Sequence, residues 1–423
     1  MGIHAFMRKI KVFEPNPFVW ICYLFIISLF LSRAGLSISG VLLLLYSLYN
    51  YFKNPFQVRI KPIHLLLFAI YAVNIVSVLF SSDLNGGFRL LFKNAVLLIL
   101  PLAFLFYREV HSLKIGRFLW LYLLLVLLCV SANSVDALLN YHQFLVDISN
   151  SKNVESGIGP AHQELGVLSA IAFVFGFYLL KNTCSFTERF LLYLVLAVVF
   201  VQLHIIAYRF SVIVVYLLGF LYIGAELLRK KNIKLFSLAS LGFVIVVYLL
   251  NLIPSVHQRY LNTVDDLKTV TEGRNPNFQS FTQRILAIRC AAEVIKEHPW
   301  FGVSPLNASD KMQEQYKKNS YLLIPENRIF IHNQFIYYAL CFGIPFGVLC
   351  MLGFLILIFR EYGLNPLLFW VMLVFLFQMM VENTLERQIT TNAFIFLFLV
   401  LRNRKSFSAE RESDSSLISI RID

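Results

Sequence analysis

The sequence predicts an all-α integral membrane protein with about twelve transmembrane helices and one large outer loop containing short helices. Three observations carry that class. The 423 residues are 58% apolar and only 14% charged, against about a quarter charged in ordinary soluble proteins. Apolar runs of spanning length, roughly 17 to 25 residues at about 1.5 Å each, recur along the chain. The 37 basic residues also sort by side of the membrane as the positive-inside rule requires.

In chain order the spans fall at 17–33, 35–52, 62–81, 90–107, 116–139, 162–180, 188–207, 210–228, 233–253, 344–360, 364–381 and 388–401. Lys93 and Asn94 interrupt the fourth, and the last is short. The segment ahead of Phe18 is basic and the first apolar run outlasts a signal-peptide core, so no cleavable signal peptide is expected. With the N-terminus inside, the inner segments hold 21 Lys and Arg, and the short outer ones hold six: Arg33, Arg89, Lys93, Lys152, Arg209 and Arg387. The other ten lie in the long loop 254–343, where the rule does not apply because long loops translocate regardless of charge. The net charge of +13 is therefore topological, and no nucleic-acid partner is expected. The resulting organisation is spans 1–9 over residues 1–253, the outer loop over 254–343, spans 10–12 over 344–401, and a polar cytoplasmic tail over 402–423. The six cysteines show no pairing or ligand spacing, so neither a disulfide framework nor a metal site is expected.

The loop opens with a polar, turn-rich stretch from Thr263 to Asn277. A helix is predicted next, with Ser280 and Gln283 in a capping-box pattern and Phe281, Ile285, Ile288, Ala292 and Ile295 along one face. His298-Pro299 ends it, because the residue before proline disfavours helix. A polar helix follows near Ser309 to Lys318, and a third begins at His332 and breaks at Gly343-Ile344-Pro345.

Four positions in this scheme carry unusual chemistry. Arg284 has no acid at helical spacing, since Ser280, Phe281, Ala287 and Ile288 occupy those places; it either holds a ligand anion or snorkels as a structural arginine. Arg289 stands four residues before Glu293 and makes either a solvated ion pair or a ligand contact. His332 sits at a helix N-terminus, where the dipole favours the neutral ring; it is either a general base or an interfacial hydrogen-bonder. Arg209 lies in a tight outer connection, Ala207 to Ser211. An ionisable group there is a site candidate unless it snorkels to lipid phosphates. Two cations and a potential base on one side fit chemistry on an anionic, membrane-tethered substrate.

Ranked lower are His162, with Gln163 and Glu164, at the start of span 6, and His204, one turn before Arg209. Glu382 and Glu386 could each pair locally with Arg387 in an outer charged turn, or help shape a cavity mouth.

The stretch Gln283-Arg284-Ile285-Leu286-Ala287 through Ile295-Lys296-Glu297-His298-Pro299-Trp300-Phe301-Gly302, then His332-Asn333 and Gly343-Ile344-Pro345-Phe346-Gly347, resembles the O-antigen ligase and O-antigen polymerase family. Ala207-Tyr208-Arg209 is similar to that family's Ser-Arg segment, with Tyr208 in place of the serine. A second departure is Val303-Ser304-Pro305 after Gly302, where members often carry Gly-x-Gly. The resemblance implies a multi-pass bacterial inner-membrane glycosyltransferase with cytoplasmic termini and a periplasmic site. It implies an undecaprenyl-pyrophosphate-linked glycan donor, a glycan or lipid acceptor, membrane lipids as surroundings, and no cofactor or metal. Matched by motif, Arg209 and Arg284 correspond to arginines that hold the pyrophosphate, and His332 to the histidine that activates the acceptor. Arg289, His162, Asn333 and His204 are the further candidates for substrate contact. Ligase and polymerase readings differ only in acceptor. A twelve-span transporter or lipid-glycan flippase is the rival from another class, but no repeated halves or matched broken helices are evident.

Overall fold

The computed structural model describes residues 16–81, 83–107, 113–143, 146, 159–206, 209–229, 231, 233–250, 254–272, 275–277, 279–319 and 323–403. Every regular element among the described residues is helical. The first group is α1 (Pro17–Leu31), α2 (Arg33–Lys53), α3 (Pro62–Leu79), α4 (Leu84–Asn94), α5 (Val96–Leu105) and α6 (Ile115–Leu139). Next come α7 (His162–Asn182), α8 (Phe186–Ile206), α9 (Arg209–Arg229) and α10 (Ile233–Leu250). The remainder are α11 (Pro254–Glu272), α12 (Ser280–Glu297), α13 (Ala308–Lys318), α14 (Gln334–Phe342), α15 (Ile344–Leu364), α16 (Pro366–Val381) and α17 (Gln388–Asn403).

A helix stands at each of the twelve expected spans, the fourth being α4 and α5, which meet at Ala95. Among the described residues, seven segments are long and apolar enough to cross a membrane: α2, α3, Leu84–Leu105, α6, α7, Phe186–His204 and α15. Shorter apolar helices are Pro17–Leu31, Phe210–Ala225, Ile233–Gly242 and Pro366–Val381. The described residues are thus those of an all-helical membrane protein. Local chemistry sets several starts. Asn16 Oδ1 accepts from Phe18 N at 3.0 Å with Pro17 in the first turn, and Asn365 Oδ1 accepts from Leu368 N at 3.3 Å ahead of Pro366. Each arrangement satisfies an orphan donor and places proline where its missing N–H costs nothing.

The centre of the bundle is α7 and α17, which bury Glu164 to Phe173 and Ile389 to Leu401 without a break. A helix buried all round needs no polar face. Outer helices instead leave Leu45, Phe190, Leu194 and Val244 exposed, an apolar surface that lipid would cover. One end of the bundle gathers Arg33, Glu164 and Gln388, with Arg33 3.8 Å from Glu164 and Gln388 Nε2 donating to the Arg33 carbonyl at 3.2 Å. The other end gathers Lys61, Glu361, Arg402 and Asn403, where Lys61 Nζ donates to Asn403 Oδ1 at 2.5 Å and Arg402 pairs with Glu361.

Three sequence expectations are corrected within the predicted loop. Thr263 to Glu272 is not turn-rich but the second half of α11, because no proline or glycine interrupts the chain between Pro254 and Gly273. The Ser280–Gln283 capping box does not form. Gln279 is the N-cap and makes no side-chain cap bond, while Asp266 Oδ2 from α11 accepts from Phe281 N at 2.9 Å. The buried face of α12 is Thr282, Gln283, Ala287, Cys290, Ala291 and Val294, leaving Phe281 and Ile288 exposed. Small residues face inward because α11, α13 and α14 all pack closely on this helix.

Candidate functional site

His332 is held by its neighbours rather than by a helix of its own. The helix expected to begin at His332 begins at Gln334, with Asn333 as N-cap: its Oδ1 accepts from Phe335 N and Ile336 N, each at 3.0 Å. This segment is stitched to the turn that follows α16. Asn383 Nδ2 donates to the Ile331 carbonyl at 2.7 Å, Asn333 N donates to Asn383 Oδ1 at 3.2 Å, Asn333 Nδ2 donates to the Met380 carbonyl at 2.9 Å, and Leu385 N donates to Gln334 Oε1 at 2.7 Å. The stitching places His332 Nδ1 2.9 Å from Glu382 Oε2.

Glu382 is the hub. Its Oε1 accepts from Arg284 Nη2 at 3.1 Å, and its Oε2 also accepts from Arg387 Nη2 at 3.2 Å. Arg284 Nη1 adds a bond to the Val381 carbonyl at 3.3 Å. The carboxylate is 6% exposed, whereas His332, Arg284 and Arg387 are 27%, 34% and 33% exposed. Burial alone raises the Glu382 carboxyl, but the His332 hydrogen bond and the His332, Arg284 and Arg387 charges outweigh it and hold it below its ordinary value. An ionised, buried acid thus orients three half-exposed groups that remain accessible from outside. With Nδ1 facing the carboxylate, Nε2 is the ring nitrogen turned away from it.

The turn after α12 fixes Arg284 against this assembly. Val303 N and Ser304 N donate to the Leu340 and Cys341 carbonyls at 2.9 Å each, and Ile344 N donates to the Pro299 carbonyl at 2.8 Å. Backbone meets backbone here, which requires glycine. A Cβ on Gly302 (φ 67°) would lie 2.4 Å from the Cys341 carbonyl carbon, and one on Gly343 (φ 92°) 2.1 Å from the Trp300 oxygen. The two motifs around Gly302 and Gly343 are therefore the two halves of one joint, and the joint carries α12 and α14.

The structure brings together His332 and Arg284, with Asn333 shaping the backbone beside them. Arg209 opens α9, but its side chain lies outside the described residues, as does Tyr208. Arg289 is exposed and does not form the ion pair expected with Glu293. That carboxylate instead accepts from Gln315 Nε2 at 2.5 Å and from Asn319, because α13 packs alongside and supplies amides. His162 is the half-buried first residue of α7, beside Glu164, whose Oε2 accepts from Ala161 N at 3.1 Å. His204 is buried, its Nδ1 2.7 Å from the Phe200 carbonyl and its Nε2 3.1 Å from the Tyr216 hydroxyl. Sequence reasoning left Glu382 and Arg387 in second place. The expected Arg387–Glu382 pairing is present, while Glu386 pairs instead with Lys93 at 3.2 Å.

Fold and site together define a polytopic helical membrane protein with a histidine–glutamate–arginine cluster at one end of its bundle. Residues 190–352 match the family model described as O-antigen ligase, so over that segment the resemblance carried by the Arg284, Gly302, His332 and Gly343 motifs is a family match. No curated protein matches the chain. The matched segment contains Arg209, Arg284 and His332 but ends before Glu382 and Arg387.

Proposed function

We propose that the protein transfers a glycan from an undecaprenyl-pyrophosphate carrier to an acceptor hydroxyl at the periplasmic face of the inner membrane, as an O-antigen ligase. The match over 190–352 supports ligase- or polymerase-type activity in general. The observation that carries the finer reading is the shared carboxylate, which puts a candidate base, His332, and a candidate anion-binding group, Arg284, on opposite oxygens of Glu382.

In this reading the acceptor oxygen attacks the anomeric carbon as the carbon–oxygen bond to pyrophosphate breaks. The acceptor proton passes to His332 Nε2, and the bonding pair leaves on the pyrophosphate oxygen. Negative charge grows on the leaving group, so Arg284, with Arg209 from the start of α9, stabilises the transition state more than the ground state. Proton removal by a placed histidine typically contributes about 10² to 10⁴ in rate. Attack opposite the leaving group inverts the anomeric centre. Neither step draws on a metal or a nucleotide cofactor.

The test is direct. Purified protein in liposomes receives the carrier-linked glycan and either lipid A core or a second carrier-linked repeat. Acceptor-linked glycan of inverted configuration on lipid A core supports the ligase reading. Transfer only to the second repeat replaces it with polymerisation, and retention of configuration or absence of transfer contradicts the mechanism.

A further inference from the structure

Arg284 is claimed twice. The proposed function needs its guanidinium on the donor's pyrophosphate, and the structure has it on Glu382 Oε1 at 3.1 Å. The other carboxylate oxygen carries His332 at 2.9 Å and Arg387 at 3.2 Å. Beyond these, the nearby acids are already paired, Glu386 with Lys93 and Glu164 with Arg33. Among the described residues, Glu382 is thus the one carboxylate bonded to both the proposed base and the proposed donor-binding cation.

We propose that Glu382 is an exchangeable counter-ion: it holds Arg284 until the donor's pyrophosphate draws that arginine away, and its charge then falls more fully on His332 as His332 takes the acceptor's proton. The inference rests on the function proposed above. Glu382 touches neither reacting centre, so it acts as a positioning residue that couples donor arrival to base strength. The geometry suits the timing. Bond cleavage adds negative charge to the pyrophosphate while proton transfer adds positive charge to the imidazole, and Glu382 links the arginine that would meet the first to the histidine that takes on the second. Arg284 keeps N–H groups beyond the two engaged with Val381 and Glu382, so it can shift without first becoming unpaired. Arg387 stays on Glu382 throughout and prevents the carboxylate from being stranded in a buried site.

The experiment uses the full chain in nanodiscs, with undecaprenyl pyrophosphate as the binding probe and glycan transfer as the readout. Glu382→Gln removes the competing charge at constant shape. Undecaprenyl pyrophosphate should then bind about tenfold more tightly, the equivalent of about 1.4 kcal/mol, while turnover drops by about 10². The pH profiles add a readout that a purely structural role would not move. In the wild-type protein the acid limb of kcat, which reports the donor complex, should lie at higher pH than that of kcat/KM for donor, which reports the free protein. Glu382→Gln should close that gap and Glu382→Asp should restore it. Coincident limbs in the wild-type protein overturn the proposal without recourse to any variant, and so does a Glu382→Gln protein that loses binding along with turnover. If His332→Ala transfers glycan at full rate, the site assignment itself fails, which is a separate result.

Discussion

His332 and Glu382 stand fifty positions apart in the chain and 2.9 Å apart in space. The contact joins the segment before α14 to the turn after α16, and through Glu382 it reaches Arg284 on α12 and Arg387 ahead of α17. One buried acid therefore orients side chains from three other parts of the chain, and the consequences for mutation follow from what each neighbour loses.

Asn383 is predicted to support His332, the proposed base, through the backbone on either side of it. Its amide spans the Ile331 carbonyl and Asn333 N. Asn383→Ala leaves both without these partners, at a cost of about 1–3 kcal/mol for a buried unsatisfied group. Thermal unfolding in detergent should show a lower midpoint, and glycan transfer should fall because His332 is no longer held.

Gly302 and Gly343 are predicted to tolerate no side chain. Each has a positive φ and a backbone neighbour where a Cβ would go. Gly343→Ala should cost at least the 1–3 kcal/mol typical of such strain, about, before the clash is counted. The readout is the same melt, together with loss of transfer, because the joint sets α12 against α14. Gly363→Ala, where a Cβ meets nothing within 4 Å, should leave both unchanged apart from the small glycine-to-alanine gain.

The two acids of the turn after α16 are predicted to respond oppositely to pH. Burial pushes Glu382 up, but its His332 bond and the surrounding cations bring it below the ordinary value of 4.5. A depressed carboxyl contributes stability that is present above 4.5 and lost as pH falls through its lower native value. Glu386 is raised, chiefly by burial, against the opposing pull of Lys93. Its ionisation therefore opposes folding once pH rises above 4.5 and through its higher native value. Melts of Glu382→Gln and Glu386→Gln across pH 4 to 8, a range set to about bracket ordinary carboxylate values, check the sign. The first variant should lose stability at neutral pH relative to wild type, and the second should hold or gain it. A loss of equal size in both contradicts the assignment.

Much of this architecture was legible in the residues because lipid imposes few solutions. Apolar runs locate the helices whatever they pack against, and helices stand at all twelve expected positions, with α4 and α5 sharing one of them. Arg284 was recognisable because helical spacing left it without a local acid, and its partner proved to be 98 positions away. Spacing cannot find such a partner. Glu382 lay beyond the motif segment, in a turn whose other residues offered a sufficient local explanation, Arg387. The Arg289–Glu293 prediction failed for the same reason: i,i+4 geometry permits the pair, but amides on α13 reach the carboxylate instead. Glycines marked the joint between residues 302 and 343, and only the three-dimensional arrangement explains why both are needed.

The central claim is that His332 and Arg284, joined through Glu382, form the transfer site. The most direct measurement is single-turnover transfer of carrier-linked glycan by reconstituted wild-type, His332→Ala and Arg284→Ala proteins of matched insertion. The account predicts transfer by the wild-type protein and a drop of about 10² or more in each variant. Wild-type rates in both variants would contradict it.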